Sequence, residues 1–100
     1  MRGVTFTGSA DTGAIVAEKA GKNLKKTVLE LGGNDAYIVT ESADIKKAVK
    51  ACTQGRIFNN GQTCTAAKRF IVLEGVFDEF KEAFVKAISE TQMGGPMEKT

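Results

Sequence analysis

The chain has no histidine and no tryptophan, and only one proline, one tyrosine and two cysteines in 100 residues. Without histidine, any catalytic base must be a carboxylate, a lysine or a tyrosine, and no metal site is expected. Cys52 and Cys64 form no CxxC pair, and two isolated thiols in a Lys/Glu-rich chain read as reduced. Reduced thiols point to the cytoplasm. No apolar run approaches the length of a membrane span or of a secretion-signal core, so a membrane is not an expected partner. Nor is nucleic acid, because the fourteen basic and twelve acidic residues, net charge +2, are spread without a basic block or interleaved aromatics. Repeats, low-complexity tracts and Pro/Gly/Ser linkers are absent as well.

What is present is the composition of an ordinary folded domain, 42% hydrophobic and 26% charged. A chain of this size buries roughly 65% of its unfolded surface, enough for one core and too little for two. Its hydrophobic periods alternate between strand and helix, which implies an α/β layout. "GVTFTG" reads as a strand ending in glycine, after which Ser9 can cap a helix over about residues 10–21 with Ala10, Ala14, Ala17 and Gly21 as a small-residue face. "KTVLEL" is a second strand stopped by Gly32-Gly33, and "AYIV" a third. Ser42 can cap a helix over roughly 43–56 with Ile45, Ala48, Val49 and Cys52 on one face. "RFIVLEG" is a fourth strand. From Val76 to about Thr91 an amphipathic helix carries Phe77, Phe80, Phe84 and Ile88 on its buried stripe, and Gly94, Gly95 and Pro96 end it.

Three places depart from plain packing. In "FTGSADTG", Gly8, Ser9 and Gly13 surround a helix start, whose free N–H groups and positive dipole end suit an anion; a plain capped turn fits the same residues. In "LELGGN", Glu30 stands in an apolar strand before a double glycine; alternation puts it opposite Leu29 and Leu31, where it can simply meet solvent. In "GQTC", Cys64 follows a polar glycine turn and belongs to no apolar period, whereas Cys52 sits on a helix stripe as a small core residue does.

Together the three motifs resemble those of the NAD(P)-dependent aldehyde dehydrogenase superfamily. "VTFTGSADTG", "LELGGND" and "NNGQTCTAAKRFIV" are similar to its phosphate-contact, glutamate and cysteine motifs, with 34 residues from Glu30 to Cys64. The similarity runs through to "MGGPME", and "ELGGND", "YIV" and "AAKRFIV" are most like the succinate-semialdehyde dehydrogenase branch, many members of which have proline where Ala36 stands. The resemblance implies an aldehyde dehydrogenase-like α/β fold, with residues 1–33 as the end of the Rossmann-like cofactor domain and 34–100 as the start of the catalytic domain. It implies NAD or NADP as cofactor, a small-molecule aldehyde as substrate, and a homo-oligomer, dimer or tetramer, for the parent protein.

The resemblance also assigns chemistry. Cys64 thiolate adds to the aldehyde carbon, and collapse of the adduct sends hydride to the nicotinamide and leaves a thioester. Cysteine suits this role as a strong nucleophile and good leaving group, although an unperturbed thiol is only about 3% thiolate at pH 7. Glu30 is the candidate base, toward the thiol or toward the hydrolytic water; partial burial of such a glutamate would suit a carboxyl that carries protons. The Cys64 backbone N–H would serve as an oxyanion donor. Gly8, Ser9 and Gly13 would lie by the cofactor pyrophosphate, with the Ser9 hydroxyl as donor, and the Leu31 carbonyl and Gly32 against the nicotinamide. Family members are several times longer, so the chain is expected to be a central piece of a longer reading frame. It lacks the family's second oxyanion donor and its ribose-binding residues. Its first strand is expected to have lost its sheet neighbours, and turnover by these residues alone is not expected. The alternative is a truncated, non-enzymatic α/β module; a redox-sensing role for Cys64 is a third reading.

Overall fold

A computed structural model describes residues 1–95 and 97; Pro96, expected to help end the last helix, lies outside the described residues. The elements alternate as anticipated: β1 (Gly3–Thr7), α1 (Ala10–Lys22), β2 (Lys26–Glu30), β3 (Ala36–Val39), α2 (Ile45–Ile57), β4 (Arg69–Val72) and α3 (Glu74–Ser89), with a short 3-10 turn at Phe58–Gly61 after α2. The α/β class holds. One hydrophobic core cluster forms among the described residues, as expected, but the chain is not too short for two units: it divides into Met1–Gly33 and Asn34–Thr100.

The first unit is a β-α-β turn of chain. β1 and β2 pair in parallel, from Gly3 opposite Lys26 to Thr7 opposite Glu30. The first strand, expected to be without neighbours, thus has a partner along one edge. In both strands alternate residues are half-buried, Val4 and Phe6 in β1 and Thr27 and Leu29 in β2. Helix α1 turns inward Gly13, Val16, Ala17 and Ala20, not the expected Ala10, Ala14, Ala17 and Gly21; only Ala17 is shared. The reason is steric. A Cβ on Gly13 would stand 2.7 Å from Leu31 Cδ2, so the glycine is the point where the helix approaches the end of β2, and the i, i+3, i+4, i+7 spacing runs on from it.

The second unit holds the core cluster. β3 and β4 pair in parallel, Ala36 opposite Arg69 through Val39 opposite Val72. Val39, Val49, Cys52 and Phe80 are buried together, with Tyr37, Ile45, Ala48, Phe70, Phe84 and Ala87 among the residues packed on them. Burying Phe80 to 3% exposure contributes on the order of 1.5–3 kcal/mol. Phe80 stacks on Phe84 at 5.4 Å, and Phe84 meets Phe70 at 4.8 Å, so one aromatic row ties α3 to β4. The α2 face of Ile45, Ala48, Val49 and Cys52 is as expected. Its cap is not Ser42: Asp44 Oδ1 accepts from Lys47 N at 3.1 Å, and the helix begins at Ile45. Helix α3 starts at Glu74, earlier than expected, which shortens the fourth strand to Arg69–Val72. It ends at Ser89, ahead of the glycines, with Glu90 N donating to Lys86 O. Phe77, expected on its buried stripe, is 45% exposed and instead carries Lys81 Nζ 5.8 Å from its ring centre.

Candidate functional site

The phosphate-type motif occupies one end of the first unit. Gly8 N donates to Glu30 O at 3.1 Å, so the exit of β1 and the end of β2 are tied together. Ser9 then caps α1, its Oγ accepting from Thr12 N at 3.3 Å while its hydroxyl donates to Thr12 Oγ1 at 3.0 Å. The Ser9 proton is therefore engaged within the cap, and donation to a phosphate requires that hydroxyl to turn. Thr12 was not singled out from sequence; its place three residues after a capping serine is the signal that marks it. Helix geometry leaves the Ala10 and Asp11 amides without an intrahelical acceptor at this end. Gly13, behind them, holds the helix against half-buried Leu31. Gly8, Ser9, Gly13, Glu30 and Leu31 thus gather at one end of one unit.

Glu30 meets solvent, as strand alternation allowed, without the partial burial that would suit a proton carrier. It closes β2 on the face shared with Lys26 and Val28, which are also exposed, and opposite half-buried Leu29 and Leu31. Alternation in a two-stranded sheet with its helix on the other face leaves that side to water. Inside the first unit its carboxylate makes no hydrogen bond or ion pair among the described residues. Gly32 has open space where a Cβ would stand, so packing does not require glycine there.

The two cysteines differ as their sequence settings suggest. Cys52, on the inner face of α2, is 3% exposed, and burial pushes its thiol up. Cys64 is exposed on a turn closed by Ala66 N donating to Thr63 O at 3.1 Å.

Chain reversal before that turn follows from residue type. Asn59, Asn60 and Gly61 take left-handed φ values of 50°, 56° and 71° in succession. Asn and Gly are the residues that enter this region most readily, and the run brings the chain back toward α2. A Cβ on Gly61 would also lie 2.9 Å from Arg56 O. Beyond Cys64, Ala66 and Ala67 are 1% and 0% exposed. Ala67 N donates to Gly55 O at 3.0 Å and Ala67 O accepts from Arg56 Nη1 at 3.1 Å, so the turn is riveted to the last turn of α2. Lys68 and Arg69 N both donate to Asp35 O at 3.2 Å, and Arg69 Nε and Nη2 close on Asn34 O at 3.1 and 2.8 Å. An open groove of about 270 Å³, lined by Tyr37, Gln54, Gly55, Phe58, Thr63 and Thr65, runs beside the cysteine's neighbours. Sequence reasoning missed Arg56, Lys68 and Arg69 as builders of this turn, and a single sequence carries no signal that pairs them with carbonyls.

The whole chain, residues 1–100, matches the aldehyde dehydrogenase family. The chain belongs to that family. It is 48% identical over 100 residues to an aldehyde dehydrogenase of Paenarthrobacter nicotinovorans, covering 100% of this chain and 22% of that protein. It is 51% identical over 96 residues to the succinate semialdehyde dehydrogenase [NAD(P)+] of Escherichia coli K12, covering 96% and 21%. The crystal structure of lactaldehyde dehydrogenase from Escherichia coli superposes with a TM-score of 0.95 at 38% identity, over 99% of this chain and 21% of that one. The aldehyde dehydrogenase-like fold expected from the motifs is therefore shown. The chain spans about a fifth of the length of these curated relatives. Among the described residues no helix is long and apolar enough to cross a membrane.

Proposed function

We propose that the chain carries the nucleophile-bearing part of an NAD(P)-dependent aldehyde dehydrogenase, with Cys64 as nucleophile, Glu30 as base and succinate semialdehyde as the aldehyde. The observation that carries this reading is the contrast between two thiols in one family match: Cys52 buried in the core, Cys64 exposed on a turn with a buried, hydrogen-bonded anchor. The similarity to succinate semialdehyde dehydrogenases supports the choice of substrate.

Residues 1–33 are the end of the cofactor domain in this reading and residues 34–100 the start of the catalytic domain. The first unit fits one part of a dinucleotide site: free first-turn amides beside Gly8, a hydroxyl at Ser9, and Gly13 clearing the helix for Leu31. The exposed Asp11 carboxylate in the same first turn opposes an anion, so the fit is to a neighbouring rather than enclosing contact. Gly8, Ser9 and Gly13 would hold the pyrophosphate end, the Leu31 carbonyl and Gly32 the nicotinamide end. When bound, NAD or NADP supplies the hydride acceptor.

The chain's own residues do the rest. Cys64 Sγ forms a bond to the carbonyl carbon, and the carbonyl π pair moves to oxygen, where the Cys64 N–H is a donor. Once the carbon is oxidised to a thioester, water adds, its proton passes to Glu30, and the C–S bond breaks to release the acid and the thiolate. Full-length protein should produce NADH absorbance at 340 nm with succinate semialdehyde, and Cys64→Ala should abolish it. Turnover surviving Cys64→Ala would sink the assignment. This chain alone is proposed to be inactive, since residues 1–33 offer two of the parallel strands that a dinucleotide crevice is built from.

A further inference from the structure

The segment from Thr63 to Lys68 lies outside helix and strand, so its carbonyls find partners in turns, side chains or water in place of a ladder. One internal bond, Ala66 N to Thr63 O, closes the turn. Lys68 Nζ reaches back to donate to Cys64 O at 3.0 Å and to Ala66 O at 3.3 Å. One ammonium thus bridges the carbonyl of the cysteine itself and the carbonyl two residues on, spanning the turn that presents the thiol. Arg56 holds Ala67 O, one residue beyond the Thr63–Ala66 turn.

We propose that Lys68 is a positioning residue for Cys64, its ammonium clamping the turn that aims the thiol and the Cys64 N–H. This rests on the reading of Cys64 as the nucleophile. The geometry has a second consequence. Only four covalent bonds separate the Cys64 carbonyl oxygen from Sγ, so the ammonium lies within about one Debye length, about 8 Å at physiological ionic strength, of the sulfur. A full positive charge at that range attracts an anionic reagent to the thiol, and a purely packing residue would not.

Lys68→Met keeps the length and removes the charge and donors; Lys68→Arg keeps both. In this chain, Lys68→Met should speed amide hydrogen exchange at Ala66 roughly tenfold, for the loss of one bridging charged donor. The ratio of Cys64 alkylation rates with iodoacetate and iodoacetamide should fall roughly twofold to threefold in low salt. Lys68→Arg should restore the ratio, and Cys52 should stay unlabelled throughout. An unchanged ratio with Ala66 exchange moved less than twofold would overturn the proposal. So would Cys52 labelling that rises in parallel, because Lys68 would then support the whole unit and not the turn. Failure of the dehydrogenase reading shows separately, as turnover of the full-length Cys64→Ala protein with the Ala66 exchange effect intact.

Discussion

Gly55 sets two effects against each other, and Gly55→Ala decides between them. In a helix interior alanine is favoured over glycine by about 1 kcal/mol, so propensity alone makes the change stabilising. The structure opposes this: a Cβ at Gly55 would lie 2.6 Å from Cε2 and Cζ of Tyr37, inside the 3.0 Å that real contacts respect. The ring cannot simply swing clear, because Tyr37 is half-buried and packs edge-on against Phe70 with ring centres 6.0 Å apart. Overpacking of this kind costs about 1–3 kcal/mol. Clash less propensity leaves a net loss of up to about 2 kcal/mol, centred near about 1 kcal/mol, which is roughly 4–8 °C in Tm for a chain of this size. Tyr37 is the sole tyrosine and tryptophan is absent, so intrinsic fluorescence reports this contact directly during urea or thermal unfolding. Gly21→Ala is the control, since its Cβ meets nothing within 4 Å and the residue is exposed in α1; it should stabilise its helix by about 0.5–1 kcal/mol, read by circular dichroism. A Gly55→Ala chain more stable than its parent by the full helix-propensity gain of about 1 kcal/mol would refute the packing argument. Since Gly55 O also holds Ala67 N, the variant should loosen the Cys64 turn, with faster exchange at Ala67.

Under native conditions iodoacetamide should modify exposed Cys64 well before buried Cys52, as mapped by mass spectrometry; labelling of Cys52 first would mean the wrong thiol has been assigned. Burial raises the Cys52 thiol, so its contribution to stability is full below the ordinary thiol range near pH 8.5 and is lost as pH rises through the raised folded value. The urea midpoint should therefore fall further between pH 7 and pH 10 in the parent than in Cys52→Ala, and equal falls would contradict this. Gly61→Ala, at φ 71° and with Arg56 O 2.9 Å from the new Cβ, should destabilise the second unit by about 1–3 kcal/mol, measured by urea unfolding. Glu30→Gln should leave Cys64 alkylation in this chain nearly unchanged and depress turnover of the full-length protein, whose retention would remove Glu30 from the proposed mechanism.

The order and type of the elements were legible because most of the chain alternates between a period of two and a period near four. Where the reading slipped, a tertiary or local contact had outvoted the pattern. The α1 face was read from its alanines, yet the register of that helix is set by Gly13 against Leu31, a contact no spacing rule contains. Sequence points to Ser42 as the cap of α2, and Asp44 takes that place because its carboxylate accepts from Lys47 N. Phe77 looked like core by spacing and is part-exposed, since the inward arc of α3 is filled by Val76, Phe80, Ala83, Phe84 and Ala87.

The candidate site was legible in a different way. Motif resemblance singled out Cys64 and Glu30, while physical chemistry alone separated the exposed thiol from the buried one. What neither supplied was the scaffold of the cysteine turn, because its holding groups are backbone carbonyls, which carry no sequence identity. The donors, Lys68 and Arg56 to the segment itself and Arg69 to Asn34 O beside it, look on paper like solubilising surface charge. A basic residue near a catalytic motif and outside any helix or strand therefore warrants one structural question before it is set aside as surface: which carbonyls of the loop would go unpaired without it. Here Lys68 answers with two, one of them on the cysteine.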